Sequence, residues 1–363
     1  MNLKKYDHFK IVPPYYNGHR LLSTPDRRGM RPEIFISTTN RSAGKSTFFS
    51  GKLVHDFIQK RKKFLLLYRN KYEILDAALP FFAEAKRAFY PDLSMTQETG
   101  IKNVYERLLI GPEGDDAPPD LCGYATALRA SEQIKKYSAL LADVDVILFD
   151  EIFPEDDIYL PDEIRRFMSI HDSLARGRGS QARYLPCILV GNLINVFNPY
   201  YTAFGIVDDL QLETNFYRGI GFVVEQGFNA ASAAAHKESA FHAALAAETY
   251  TAASQEKTYI NTSSQFIDNK IVDSGLYMLT IAYSGGRYSV RYNEGAGFYY
   301  VSDTPDPRFK IVHAATEADI DDTAIFDPLN RYRKLLKDRY RQNMVKCKNL
   351  SCRNALMHFL IGR

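Results

Sequence analysis

The sequence predicts an α/β protein with a mainly parallel sheet, and three stretches carry that prediction. Ile34 to Phe48 reads I-F-I-S-T-T-N-R-S-A-G-K-S-T-F, which is an apolar strand, a loop of small residues and the start of a helix. Phe64 to Tyr68, F-L-L-L-Y, is a short unbroken apolar run of the kind buried on both faces of a parallel sheet. Val144 to Glu151, V-D-V-I-L-F-D-E, is another such strand, and it ends in two adjacent acids.

Composition sets the frame. A chain of 363 residues with 45% hydrophobic and 25% charged residues buries a substantial core and divides into two or three domains. No stretch approaches the roughly 20 apolar residues of a membrane span, and the start M-N-L-K-K-Y-D lacks the apolar region of a signal peptide, so a soluble intracellular protein is expected. Cys122, Cys187, Cys347 and Cys352 show no paired C-x-x-C spacing and read as buried thiols. The net charge of +3 is unevenly spread. Residues 331–363 hold ten Lys or Arg against one Asp, which points to an anionic partner at that end.

Residues 1–32 are rich in Pro, Tyr and Arg and form a lead-in arm rather than a long helix. Tyr15, Tyr16 and Arg20 are candidates to stack on a base; the bland alternative is an arm that covers the sheet edge or meets a neighbouring subunit. Ile34 to Ser37 is the first strand. The loop that follows, Thr39, Asn40, Arg41, Ser42, Ala43, Gly44, Lys45, Ser46 and Thr47, has the grammar of a phosphate-binding P-loop. Its backbone N–H groups curl around an anion, Lys45 reaches the terminal phosphates, and the Ser46 hydroxyl takes a place on Mg²⁺. A nucleoside triphosphate, ATP, is the expected ligand. Thr39 stands where the pattern G-x-x-x-x-G-K-[ST] has its first Gly, which puts the loop geometry in question. A helix from about Lys45 to Arg61 and the strand Phe64–Tyr68 complete one βαβ unit. Arg69 sits at the strand end where open α/β sheets bind ligands, and is either a phosphate or DNA contact or a solvated basic turn.

Ile74 to Ala88 is helical in pattern, and Pro91 to Pro119 is less regular, with short strands near Arg107 to Ile110. The strand Val144–Glu151 matches hydrolases that carry an extra catalytic strand: the first acid, Asp150, holds Mg²⁺, and the second, Glu151, polarises the attacking water. The fold class is therefore a P-loop NTPase of the additional-strand, catalytic-Glu class. A helix from about Pro161 to Ala175 ends in Arg176-Gly177-Arg178-Gly179. This Arg pair is either a helix C-terminal cap or an arginine finger that reaches a neighbouring subunit's γ-phosphate. The buried strand Cys187–Gly191 ends in Asn192, an amide that senses the γ-phosphate or simply closes a turn.

Beyond Asp208 the composition changes. Gly219 to Glu225 reads as a strand, and Phe228 to Ala253 as an Ala-rich connecting helix or lid in which His236 and His242 are surface residues. Gly275–Tyr283, Arg287–Tyr292 and Gly297–Val301 form a β-meander, and Asp327 to Leu360 is a basic helical end. Asp268, Asp273, Asp303 and Asp306 are the acids to test for a nuclease, and they read as turn acids. The domains are 1–210, an NTPase domain with its arm; 211–258, a lid or linker; and 259–363, a small α+β domain.

The chain resembles the DNA-packaging (encapsidation) ATPases of small podoviruses, a compact branch of the large-terminase-like motors. T-N-R-S-A-G-K-S, F-L-L-L-Y-R-N-K-Y-E-I, V-I-L-F-D-E, D-S-L-A-R-G-R and V-G-N-L-I-N-V-F-N-P-Y-Y carry the resemblance. It implies ATP-driven translocation of double-stranded DNA through the portal of a procapsid, by a pentameric ring in the host cytoplasm. Arg41 matches a P-loop Arg of the family, Arg176 the trans-acting finger, with Arg178 second. The resemblance also implies an RNase H-like C-terminal domain that has lost its nuclease acids and binds nucleic acid, in some relatives a packaging RNA. Arg331, Arg333, Lys334, Lys337, Arg339 and Arg341 are then the candidates to grip DNA phosphates without reading bases. The alternatives are a complete large terminase with an active nuclease, and a non-hydrolysing nucleotide-binding virion protein. Retention of Glu151 argues against the latter, because a binder needs no base.

Overall fold

A computed structural model of the chain describes residues 2–12, 16–39, 43–115, 117–154, 158–176, 183–192, 198–206, 209–210, 214–227, 268, 271, 274–342 and 344–361. It divides into two compact units, residues 1–194 with 210–258, and residues 195–209 with 259–363. The boundary near residue 210 is thus more complicated than the sequence suggests: the N-P-Y-Y helix α6 (Pro199–Ala203) belongs with the C-terminal unit. The Ala-rich segment with His236 and His242 lies outside the described residues.

The first unit is built on a nine-stranded sheet. Its core is six parallel strands in the order β5 (Asp120–Ala127), β2 (Lys63–Tyr68), β6 (Val144–Phe149), β7 (Cys187–Gly191), β1 (Ile34–Thr38) and β9 (Phe222–Gln226). β7 lies between β1, which leads into the phosphate loop, and β6, which ends at the acid pair. That insertion is the extra strand expected from the sequence. The parallel strands are continuous apolar runs because both faces are covered. On one face α2 (Lys45–Lys60) contributes Phe48, Phe49, Leu53, Val54 and Phe57 to a core shared with Phe64, Leu148 and Val190. There α2 packs against α3 (Ala78–Phe89), and Gly51 is the close point, since a Cβ would meet Phe89 Cδ2 at 2.7 Å. On the other face α5 (Glu163–Leu174) brings Phe167 to 6.5 Å from Phe149, ring centre to ring centre.

Both edges differ from expectation. Pro91 to Pro119 is more regular than expected: the strand anticipated near Arg107 to Ile110 is part of β4 (Tyr105–Pro112), and with β3 (Leu93–Ile101) it forms an antiparallel hairpin that extends the sheet beyond β5. At the other edge β8 (Phe216–Arg218) pairs antiparallel with β9, making a hairpin of the single strand expected there. The later part of the N-terminal arm meets this edge, with Arg27 N–H donating to Gly219 O, while Phe9 packs against Phe48 and Phe89 on α2 and α3. The Asp26 carboxylate accepts from the N–H groups of Arg28, Met30 and Gly221, which holds its pKa below the ordinary range.

In the second unit β10 (Leu276–Tyr283), β11 (Gly286–Asn293) and β12 (Phe298–Ser302) form the expected antiparallel meander. β13 (Val312–Ala314) joins parallel to β10, and β14 (Ala324–Ile325) parallel to β13, giving the α+β sheet implied by the resemblance. The basic end is not one helical run. α7 (Arg331–Arg341) and α8 (Leu350–Ile361) are separated by β15 (Val345–Cys347), which pairs parallel with β12. All four cysteines are free and buried, and burial raises the pKa of each thiol. Among the described residues no helix is long and apolar enough to cross a membrane.

Candidate nucleotide site

Beyond the C-terminal ends of β1, β6 and β7 lies a cleft of about 370 Å³, lined by Ala43 to Thr47, Glu84, Asp150, Glu151, Gly191 and Asn192. Gly44 precedes α2 with φ +92°, a left-handed conformation that needs glycine, and its carbonyl accepts from Phe48 N–H. The first-turn N–H groups of α2 have no acceptor within the helix, so its N-terminus favours an anion.

Lys45 is buried at 7% exposure, with Nζ donating to Thr39 Oγ1 at 2.6 Å and to Asn192 Oδ1 at 2.7 Å. The replacement of the first loop Gly by Thr therefore adds an acceptor for the lysine. Gly227 makes room for it, because a Cβ there would lie 2.9 Å from Thr39 Cγ2. Asn192 is neither a bare turn residue nor remote from the loop: it links the end of β7 to Lys45.

Ser46 Oγ donates to Asp150 Oδ2 at 2.7 Å, and the Glu151 N–H donates to Asp150 Oδ1 at 2.9 Å. Burial pushes the Asp150 pKa up, partly offset by the Ser46 and Glu151 hydrogen bonds and by the charge of Lys45. A half-buried carboxylate beside a hydroxyl at the mouth of a phosphate site suits a hard divalent cation. Glu151 is exposed to the cleft and has φ +56°, unusual for a residue with a Cβ. The next residue returns to the sheet, with Ile152 N–H donating to Val190 O at 3.0 Å. Gly191 permits this crossing, since a Cβ would meet Phe153 Cδ2 at 2.8 Å.

Arg176 stands exposed two residues past the end of α5. It is not the helix cap. Arg183 takes that place, its Nη2 donating to Leu174 O at 3.2 Å and its N–H to Ala175 O at 2.7 Å. Asn40, Arg41, Ser42 and Arg178 lie outside the described residues, as do Tyr15 and Asp273.

Three expectations change. Arg69 is neither a phosphate contact nor a solvated turn: it is buried at 9% exposure and paired with Glu163, which is fully buried. Tyr16 is a brace, not an open stacking surface. Its OH donates to Glu225 Oε2 at 2.5 Å and lies 2.7 Å from Ser37 Oγ, its N–H donates to Ala43 O, and its ring packs edge-on to Phe48. Burial and the neighbouring Glu225 raise the Tyr16 pKa, and burial raises that of Glu225. Arg20 stacks on the Phe216 ring at 4.3 Å, at the sheet edge. Sequence reasoning missed Glu84, on α3, as a cleft residue, and no local pattern marks it.

In the second unit Arg333 leaves the DNA-facing set. It is 5% exposed, and its guanidinium donates to the carbonyls of Asp327, Ala314 and Phe359 and stacks on the Phe359 ring at 4.3 Å. Burial lowers its pKa to about 10. The sequence signal was available: Arg333, Leu336 and Tyr340 form one helical stripe, and all three are buried. Arg331, Lys334 and Lys337 are exposed on α7, and Arg339 is half-buried with Nη1 on Gln342. The Arg341 side chain lies outside the description. Asp303 is held by Lys348 and Asn349, and Asp306 by Arg308. Among the described residues no group of three or more His, Cys, Asp or Glu side chains could hold a metal ion.

The model of the podovirus DNA encapsidation protein (Gp16) family matches residues 13–362. The chain belongs to that family. It is 25% identical to the DNA packaging protein of Bacillus phage phi29 over 284 residues, 78% of each chain. It is 26% identical to the DNA packaging protein of Bacillus phage B103 over 216 residues, 59% of this chain and 64% of that one. The fold is similar to a chain of the bacteriophage phi29 viral genome packaging motor assembly, with a TM-score of 0.53 at 21% identity over 94% of this chain and 96% of that one. It is also similar to a chain of the phi28 gp11 DNA packaging motor, with a TM-score of 0.54 at 17% identity over 96% and 98%. This Gp16-family chain thus shares the α/β fold, with its large and mostly parallel sheet, along nearly its whole length.

Proposed function

We propose that this Gp16-family chain is the ATP-hydrolysing, DNA-translocating subunit of a motor that packages a viral genome into a procapsid. The observation that carries the reading is the convergence of Lys45, Ser46, Asp150 and Glu151 on one cleft at the C-terminal edge of a parallel sheet. Family membership supplies the DNA-packaging setting.

The β- and γ-phosphates of ATP lie against the N-terminus of α2, where Lys45 exchanges its bonds to Thr39 and Asn192 for phosphate oxygens. Ser46 and Asp150 are the residues that would hold Mg²⁺, which supplies charge neutralisation when bound. Glu151, exposed to the cleft, accepts a proton from the attacking water, and Asn192 stands beside Lys45 to register the γ-phosphate. Arg176 of a neighbouring subunit completes charge stabilisation. Its exposure, and the capping of α5 by Arg183, favour that role over a helix cap. Such a finger contributes about 10³ to 10⁵ in rate, so an isolated subunit is slow.

In this reading five subunits form a ring at the portal vertex in the host cytoplasm. The partners are double-stranded DNA and the portal, with a packaging RNA, as in some relatives, a candidate third. Residues 259–363 bind nucleic acid through exposed Arg331, Lys334 and Lys337.

The test is steady-state ATP turnover against protein concentration, with and without double-stranded DNA, beside Glu151→Gln and Arg176→Ala. Turnover is expected to rise with protein concentration and with DNA and to vanish in both variants. Full activity in Arg176→Ala would remove the finger assignment. No turnover by the wild type, even with DNA and the portal both present, would remove the motor reading.

A further inference from the structure

We propose that Arg69 and Glu163 form a buried clamp that sets the direction of the Glu151 carboxylate, and that Arg69 is a positioning residue for hydrolysis. This rests on the reading of Glu151 as the base. Glu163 opens α5 and is fully buried. Arg69 Nη2 lies 2.9 Å from Oε1, Arg69 Nε 3.0 Å from Oε2, and Leu160 N–H 2.8 Å from Oε2. A bidentate Arg–carboxylate pair of this kind fixes the plane of the guanidinium. Rings of Phe149 and Tyr159 flank it, each 5.6 Å from the guanidinium carbon.

The remaining donors point at the acid turn. Arg69 Nη1 donates to Glu151 O at 3.2 Å, and Nη2 to Ile152 O at 3.0 Å. These are the carbonyls of two successive residues, Glu151 itself and the one after it, and the Glu151 φ of +56° is disfavoured for a residue with a Cβ. The Asp150 carboxylate takes the Glu151 N–H, and Val190 O takes the Ile152 N–H. The left-handed turn is therefore gripped at four backbone atoms, two of them by one side chain. Without that turn the chain would leave β6 in an extended path, and the Glu151 carboxylate would project from a different direction. The bonds that Arg69 itself makes go to Glu163 and to the acid turn, so its loss is expected to act on the base more than on nucleotide binding.

A merely structural role predicts that activity returns whenever stability does, which gives the test. Replacing a buried ion pair by apolar residues of similar volume is often neutral or stabilising. The full-length Arg69→Met/Glu163→Met double variant is compared with wild type, Arg69→Lys and Glu151→Gln. Three quantities are read: thermal midpoint, affinity for a fluorescent ATP analogue with Mg²⁺, and kcat with double-stranded DNA. The double variant is expected to keep its midpoint and to bind nucleotide within about threefold of wild type. Its kcat is expected to fall about 100-fold, the low end of what a well-placed acid or base contributes. Arg69→Lys keeps the charge but cannot reach both carbonyls and Glu163 with one ammonium group, so kcat falls there too while nucleotide affinity holds. Wild-type kcat in a folded double variant overturns the clamp. If the double variant does not fold, wild-type kcat in Arg69→Lys overturns it. Wild-type turnover in Glu151→Gln overturns instead the reading of Glu151 as base.

Discussion

Thr39 occupies the first glycine position of the phosphate loop, and its hydroxyl gives the buried Lys45 ammonium an acceptor before nucleotide arrives. A hydrogen bond to a charged group contributes about 1.5–3 kcal/mol. Thr39→Gly is therefore expected to lower the melting point of the nucleotide-free protein, and to lower that of the Mg²⁺–ATP-bound protein less, because phosphate then satisfies the lysine. Differential scanning fluorimetry with and without nucleotide checks this; equal losses in both states would contradict it. Asp150 makes a pH prediction. Burial raises its pKa above the ordinary carboxylate value, so in the nucleotide-free protein it holds its proton to a higher pH than a solvated Asp does. The associated stability is present at acid pH and is lost as the pH rises through the raised value. Mg²⁺ binds the ionised form, so protons compete with the metal at a pH above that of a solvated Asp. Mg²⁺-dependent nucleotide affinity is expected to weaken on acidification in that window, and Asp150→Asn is expected to abolish the dependence. Titration of a fluorescent nucleotide across pH, with Mg²⁺ or EDTA, reads both.

At the scale of elements, the crossing of the acid turn over the end of β7 sets the site. Gly191 leaves space for Phe153 and Ile152, and an added methyl would lie 2.8 Å from a Phe153 ring carbon and 3.4 Å from its backbone nitrogen. Gly191→Ala is expected to shift residues 150–153 and to lower kcat at least tenfold, with nucleotide affinity nearly unchanged. A parallel loss of affinity would mean that the loop, not the turn, had moved. Gly44→Ala is the contrasting case, since its φ of +92° costs a residue with a Cβ about 1–2 kcal/mol and lies in the phosphate loop itself. There the loss should appear in nucleotide affinity. The parallel core strands were legible because unbroken apolar runs such as F-L-L-L-Y and V-I-L-F have few alternatives. Of the β3–β4 hairpin, β4 was expected near Arg107 to Ile110, but β3 was not: L-S-M-T-Q-E-T-G-I buries only Leu93 and Met95, so its apolar signal is weak and its strand state comes from the pairing with β4. β15, only three residues long, owes its existence to β12 in the same way.

At the scale of the whole molecule, the basic C-terminal end must be separated by burial into residues that face water and residues that hold the fold. Arg331, Lys334 and Lys337 are exposed, whereas Arg333 ties α7 to the sheet and to α8 through main-chain carbonyls. Each exposed residue changed to Ala is expected to weaken double-stranded DNA binding at low salt. The slope of log K against log salt should fall by about 0.9 for each phosphate contact removed. Fluorescence anisotropy over a salt series measures it, and an unchanged slope would place the DNA elsewhere. Arg333→Met is expected to lower stability by on the order of 3 kcal/mol, with little specific change in that slope.

The sequence by itself determined the fold class, the candidate phosphate loop, and the two acids that end β6, because each depends on residues close together and on strong apolar periodicity. The tertiary structure alone decided which distant groups meet. It placed Asn192 and Thr39 on Lys45, Arg69 and Glu163 beneath the acid turn, Tyr16 against Glu225, and Arg333 in the core. A charged residue announces no partner in its own neighbourhood. Desolvation and the fixed directions of strand ends choose that partner only once the chain has folded.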